Sequence, residues 1–111
     1  AELAAQFMTI TFDCTAFMKR NCPAAVHVDG TARPQLIREE VNPSYYRIIK
    51  EYFNLSGIPS LINTSFNMHE EPIVNSPKDA IREFLQGNID YLAVGNFLVQ
   101  HPSQATQKRL D

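Results

Sequence analysis

The chain has 111 residues, 44% of them hydrophobic, which is one domain's worth of sequence with enough apolar content for a core and without suggesting a membrane span. A formal net charge of -2 gives no general attraction for polyanions, so nucleic acid is not the first partner and any phosphate recognition must come from individually placed side chains. Cys14 and Cys22 lack CxxC spacing, and His27, His69 and His101 lie far apart with no HExxH or HxxxH pair; the expectation is a reducing cytoplasm and no metal cage within this chain.

Residues 1–5 lack an initiator Met, a charged leader and a long apolar run, so the start reads as neither a signal peptide nor a complete gene start. The chain is expected to be a piece of something longer. Met8, Ile10 and Phe12 alternate with Thr9, Thr11 and Asp13, which predicts a half-buried strand over residues 7–13. Residues 16–20 can make one helical turn, closed by Asn21, Cys22 and Pro23. Residues 24–28 read as a second strand, with His27 and Asp29 on one face and Val28 on the other, before Gly30 turns the chain. Pro34 biases Arg33 away from helix and cannot sit in a central ladder, so residues 31–37 form a loop or an edge strand.

Asn42 followed by Pro43 is a helix start, with Asn as the cap and Pro where its missing N–H costs nothing. Tyr45, Tyr46, Ile48, Ile49, Tyr52 and Phe53 supply a broad apolar face, and Gly57 a left-handed cap, so a helix is predicted over Pro43–Ser56. Residues 58–62 are short, apolar and led by Pro59, as a buried strand would be. The polar run Asn63, Thr64, Ser65, Phe66, Asn67 then falls at that strand's carboxyl end, where open α/β sheets bind ligands. Ser76, Pro77 and Asp79 repeat the grammar of a helix start, with Ala80, Ile81, Phe84 and Leu85 as the expected buried stripe and Gly87 as the end. Residues 89–100 are apolar and β-rich with a hairpin-like break at Gly95 and Asn96, and the tail 101–111 is polar, forming a last helical turn or staying disordered. The order predicts an α/β fold, a mixed twisted sheet with helices packed on it, with an ordered core over about residues 7–99.

Three stretches offer ligand chemistry: His27 with Asp29, Arg33, and the run from Asn63 to Asn67 with its two amides and two hydroxyls. Each has a bland competitor. His27 competes as a core or rim histidine, Asp29 as a turn residue, Arg33 as half of a surface ion pair, and the polar run as a turn satisfying its own backbone. Phe66 inside that run favours anchored backbone, and the planar fork of Arg33 suits phosphate or carboxylate. Glu70 and Glu71 are adjacent and point apart on an extended backbone, so they are not expected to share a proton, and both cysteines are expected to be inert.

His27-Val28-Asp29-Gly30-Thr31-Ala32-Arg33-Pro34-Gln35 and Asn63-Thr64-Ser65-Phe66-Asn67, followed by Glu71-Pro72-Ile73-Val74 and a helix with Pro77, Asp79 and Ala80, resemble the C-terminal domain of the O-carbamoyltransferases, which include nodulation and antibiotic carbamoyltransferases. The likeness runs from about residue 7 to 99, with two long motifs in the right order. It implies a partial carbamoyltransferase C-terminal domain, the second half of a YrdC-like domain, in a longer chain whose N-terminal domain carries an iron-type metal site. The family's Lys-x-Arg pair has no counterpart here and is expected in that missing part. Many relatives have Gly where this chain has Glu70; Gly would permit a positive φ that Glu resists.

What the resemblance implies for function is a domain that helps join a carbamoyl group, from carbamoyl phosphate, to the α-phosphate of ATP, for later transfer to a hydroxyl acceptor such as a saccharide or antibiotic. Arg33 is then the phosphate-binding Arg, and Ser65 and Asn67 match a Ser-x-Asn motif that positions the nucleotide. His27, Asp29, Asn63 and Thr64 are the further nucleotide- or substrate-binding candidates. Magnesium is expected with ATP, no metal ligands within this chain, and self-association from surface that the missing half should cover. Two other readings stay open: a non-catalytic nucleotide- or RNA-binding module, and an interface fragment.

Overall fold

The computed structural model describes residues 6–68, 70–87 and 89–107, with the side chains of residues 105–107 outside that description. Residues 1–5 and the end of the polar tail, 108–111, therefore lie outside the described residues, as does His69. The chain divides into two compact units, Ala1–Asn63 and Thr64–Asp111.

In the first unit, β1 (Phe12–Asp13) pairs antiparallel with β2 (Thr31–Ala32), Phe12 opposite Ala32 and Asp13 opposite Thr31. Helix α1 (Ala16–Asn21) and a single 3₁₀ turn, Pro23–Ala25, lie between them in sequence. The Thr15 hydroxyl accepts from the Met18 N–H at 3.2 Å and starts α1, while Lys19 and Arg20 in its last turn suit the negative end of the helix. Helix α2 (Pro43–Ser56) has the predicted bounds. Asn42 accepts from the Tyr45 N–H at 3.2 Å. Gly57 closes α2 at φ 75, a left-handed conformation that a Cβ would strain.

In the second unit, α3 (Pro77–Gln86) begins where Ser76 accepts from the Asp79 N–H at 3.1 Å. A Cβ at Gly87 would stand 2.8 Å from the Glu83 carbonyl oxygen, so the exit from α3 needs glycine for space. β3 (Tyr91–Val94) and β4 (Phe97–Gln100) form an antiparallel hairpin, from Tyr91 opposite Gln100 to Val94 opposite Phe97, with Gly95 and Asn96 as its turn. Helix α4 (Pro102–Gln107) follows, so the tail does form a last helical segment. Ala80 and Phe84 of α3 bury against Leu92 of β3, with Phe66, Val74 and Val94 packed around them. The His101 ring meets Phe84 edge-on at 5.2 Å and its Nε2 lies 3.4 Å from the Leu85 carbonyl oxygen.

The α/β class stands, but one mixed sheet is replaced by two separate two-stranded antiparallel sheets among the described residues. The strand expected over residues 7–13 shrinks to Phe12–Asp13 because Met8 adopts φ 55, which breaks the extended run. The strand expected over residues 24–28 is instead the 3₁₀ turn begun by Pro23, followed by a tight turn in which Gly30 N–H donates to the His27 carbonyl at 2.9 Å. His27 and Asp29 thus sit on a turn rather than a strand face. Residues 58–62 form no strand, and Leu61 and Ile62 are exposed; Pro59 has no N–H to give a ladder. The α3 stripe is also corrected: Ala80 and Phe84 are buried, whereas Ile81 and Leu85 are 51% and 53% exposed and Glu83 is buried. Ala80, Glu83 and Phe84 are related by i, i+3, i+4, so geometry overrode apolarity at Glu83.

Candidate functional site

The turn at residues 27–31 is built by side chains as much as by backbone. Asp29 Oδ1 accepts from the Thr31 N–H at 3.0 Å and from the Thr31 hydroxyl at 2.7 Å, while His27 Nδ1 lies 3.2 Å from the same hydroxyl. These two Thr31 bonds, the hydroxyl's first, hold the Asp29 carboxyl below its usual range, aided by the His27 charge. Oδ1 is therefore engaged inside the turn, as an Asx motif requires. Residue 31 leads directly to Arg33, which is exposed and makes no ion pair or hydrogen bond among the described residues.

Arg33 and His27 line a cavity of about 700 Å³ in the first unit, together with Asn63. Its other walls include Tyr45, Tyr46 and Phe53 of α2, and Lys50 adds a second cation to the lining. Asn63 Nδ2 also donates weakly to the Met8 sulfur at 3.8 Å. Cationic, amide and aromatic groups around one space of this size suit a ligand with a flat ring and an anionic end. Asp29 is not among the lining residues. Lys50 and the α2 aromatics were not read as site residues in the sequence, because at helical spacing they look like an ordinary apolar face.

Thr64, Ser65 and Asn67 belong to the second unit. Thr64 and Ser65 are exposed, and their hydroxyls make no hydrogen bond among the described residues. Asn67 differs. Its Nδ2 donates to the Met68 carbonyl at 3.1 Å and the Glu71 carbonyl at 2.9 Å, so its N–H groups shape the loop and its Oδ1 is what remains for a ligand. The Phe66 carbonyl accepts from the Val74 N–H at 2.9 Å, closing the loop at its base, and Phe66 packs on the Ala80–Phe84–Leu92 core. Phe66 thus anchors the polar run, as its type suggested. Within the loop Glu70 takes φ 67, the left-handed conformation that glycine would adopt without strain.

Sequence reasoning missed the charged cluster beside this loop. Arg82 Nη2 donates to Glu71 Oε2 at 3.2 Å and to Glu83 Oε1 at 2.9 Å. Glu83 is 2% exposed, a rare place for a carboxyl. The neighbouring Glu71 carboxylate, then burial, push the Glu83 carboxyl up, against the Arg82 guanidinium and the Met68 backbone. Glu71 and Glu83 thus share one cation, Arg82. The cluster's only signal in the sequence was an acid at the third position after Ala80, inside the helix's apolar stripe.

Among the described residues no group of three His, Cys, Asp or Glu could hold a metal ion, and no helix is long and apolar enough to cross a membrane. Both cysteines are free thiols, and Cys22 Sγ lies 3.5 Å from the Ser60 hydroxyl.

The polar run, the Arg33 turn and the helices that follow each are the motifs of one family: the chain belongs to the carbamoyltransferase C-terminal family, whose profile, described as Carbamoyltransferase C-terminus, matches residues 1–101. It is 46% identical over 83 residues to nodulation protein NolNO of Sinorhizobium fredii, covering 74% of this chain and 12% of that protein. An uncharacterized protein of Methanocaldococcus jannaschii is 43% identical over 93 residues, 84% of this chain and 15% of its own length. The 3'-hydroxymethylcephem-O-carbamoyltransferase of Amycolatopsis lactamdurans is 33% identical over 73 residues, 66% of this chain and 14% of that enzyme. The chain therefore spans less than a fifth of the length of these curated relatives.

Proposed function

We propose that this chain is the part of an O-carbamoyltransferase that helps form a carbamoyl-adenylate from ATP and carbamoyl phosphate, for transfer to a hydroxyl acceptor such as a saccharide or an antibiotic. In this reading the fold is the second half of a YrdC-like domain in a cytoplasmic enzyme, and the rest of the longer protein supplies the Lys-x-Arg pair and the acceptor site. The observation that carries it is the cavity of about 700 Å³ in which Arg33, His27 and Asn63 meet the aromatic wall of α2.

The chemistry asks little of the chain beyond positioning and charge. Water first cleaves carbamoyl phosphate to carbamate and inorganic phosphate; a carbamate oxygen then attacks the α-phosphorus of ATP, the bond from that phosphorus to the pyrophosphate oxygen breaks, and pyrophosphate leaves. Charge grows on the phosphate oxygens in that step, and the Arg33 fork, with no partner among the described residues, is available to stabilise it. In the second unit Ser65 and Asn67 are assigned to the nucleotide by the Ser-x-Asn motif, with Ser65 Oγ offering a donor or acceptor and Asn67 Oδ1 an acceptor. His27 and Asn63 in the first unit are assigned to the donor, Thr64 in the second unit is a further substrate-binding candidate, and Asp29 acts by fixing the turn that presents Arg33. In this reading magnesium would accompany ATP and would offset charge on its phosphates, and an iron-type metal would be held by the N-terminal part of the longer protein.

The test is pyrophosphate release from ATP in the presence of carbamoyl phosphate, run on the longer protein that carries this sequence and on its Arg33→Ala variant. Dependence on carbamoyl phosphate and loss with Arg33→Ala are expected. Nucleotide binding without carbamoyl-dependent pyrophosphate release would replace the enzyme by a binding module.

A further inference from the structure

The loop that carries Asn67 is pinned to α3 by one nitrogen. Arg82 Nη2 bridges Glu71 Oε2 at 3.2 Å and Glu83 Oε1 at 2.9 Å, and the Glu71 carbonyl in turn accepts from the Asn67 amide at 2.9 Å. Glu71 N–H also donates to the Met68 carbonyl at 3.0 Å. A chain of contacts thus runs from a helix side chain to the amide of a candidate ligand-binding residue. At its buried end, Glu83 Oε2 has no hydrogen-bond partner among the described residues. A buried carboxylate oxygen left so is costly, and it marks a group whose protonation or pairing the rest of the cluster must settle.

We propose that the Glu71–Arg82–Glu83 clasp is the positioning element of the Ser65-Phe66-Asn67 segment, with Glu83 acting through Arg82 and Glu71 to hold Asn67 in its ligand-ready orientation. The role rests on the reading that this segment touches the nucleotide. The geometry suits a protonated Glu83: one guanidinium cannot neutralise two carboxylates, and a proton on Oε2 would turn the orphaned oxygen into a donor beside Glu71. The upward push on the Glu83 carboxyl agrees with this.

The charged groups bearing on Glu83 are Glu71 from the loop and Arg82 from α3. β3, packed on α3 through Leu92, brings Tyr91 as its titratable side chain, β4 brings none, and His101 packs on the Phe84 ring; His69 lies outside the described residues. Because the folded-state pKa is raised, the stability contributed by protonated Glu83 is present below the ordinary glutamate value and is lost as pH rises through the raised one. Above that point two carboxylates face each other across a single guanidinium.

The experiment uses the longer protein and two readouts: KM for ATP and kcat for carbamoyl-dependent pyrophosphate release across pH, and amide hydrogen exchange of residues 66–74 across the same range. Glu83→Gln stays neutral and near-isosteric, so it is expected to keep KM for ATP within about twofold at low pH and to remove the rise in KM and the loss of amide protection, taken relative to the intrinsic exchange rate at each pH, that wild type is expected to show as pH increases. Arg82→Ala and Glu83→Ala are expected to raise KM for ATP by about tenfold or more, by the scale of a charged hydrogen bond, with a smaller change in kcat. A Glu83→Gln variant whose exchange and KM follow pH as wild type does would overturn the proposal. So would Ala variants with wild-type KM while Ser65→Ala impairs it, which would leave the functional reading standing. If Ser65→Ala and Arg33→Ala were silent, the functional reading would fall instead, and pH-dependent exchange abolished by Glu83→Gln would still show the clasp but not its role in positioning a ligand residue.

Discussion

The two units use their apolar side chains in opposite ways. In Ala1–Asn63 they surround a cavity, and no described residue there is fully buried, although α2 is the longest helix among the described residues. In Thr64–Asp111 a shorter helix and a hairpin close on Ala80, Phe84 and Leu92, and even a carboxyl is drawn inside. Apolar surface that lines a space can bind a ligand, whereas surface that fills one fixes geometry. The first unit therefore carries the candidate ligand cavity, and the second carries a loop whose shape is tied to a packed core.

The contrast breaks most severely at Phe84. It is 2% exposed in the small core of the second unit, so Phe84→Ala should cost about 3–5 kcal/mol. Denaturant unfolding followed by exchange should show the loss in residues 64–107, and a protein that tolerates the change would mean that this core is not what holds the unit. Next comes Arg33→Ala in the first unit, which should lower carbamoyl-dependent pyrophosphate release by two orders of magnitude or more, roughly the worth of a charged hydrogen bond upward, with unfolding unchanged. Arg33→Lys should recover only part of it, because the bidentate fork is lost. Equal rates for the two variants would make Arg33 a point charge rather than a clamp.

Smaller effects sharpen the same division. Ser76→Ala removes the cap of α3 and Asn42→Ala that of α2, each expected to cost about 1 kcal/mol. The first should raise exchange in the loop that rests on α3, and the second should weaken nucleotide binding at the cavity walled by α2. Glu70→Gly should steady the second unit's loop by relieving φ 67, a gain of up to about 1 kcal/mol less whatever the Glu70 side chain contributes; faster exchange in residues 66–74 would count against strain there. The smallest effect is expected on acidification. Asp29 has a lowered pKa, so the turn's stability is present above the ordinary aspartate value and is lost as pH falls through the lowered one. Chemical-shift titration of the Thr31 amide should report it, and Asp29→Asn should flatten the curve. An unmoved Thr31 signal would place the turn's stability elsewhere.

Local chemistry was legible from the sequence. Asn42-Pro43 with Gly57, Ser76-Pro77 with Gly87, and Gly95-Asn96 marked both long helices and the hairpin because caps and turns are satisfied by residues next to them in the chain. The motifs around Arg33 and Ser65 marked the family. The strands were less legible: alternation over residues 7–13 and the apolar run 58–62 promised ladders that Met8 at φ 55 and Pro59 did not deliver. A strand needs a partner as well as a pattern, and the partner is not written in the segment itself.

By itself, then, the sequence determined where the two long helices start and stop and to which family the chain belongs, since caps and motifs are each written within a few neighbouring residues. Only the tertiary structure decided that Asn67 spends its N–H groups on its own loop, that Tyr45, Tyr46 and Lys50 share a cavity with Arg33, and that Glu83 lies buried against Arg82. Burial and long-range pairing depend on what lies across the fold, and for Glu83 the position three residues beyond Ala80 outweighed the side chain's preference for water.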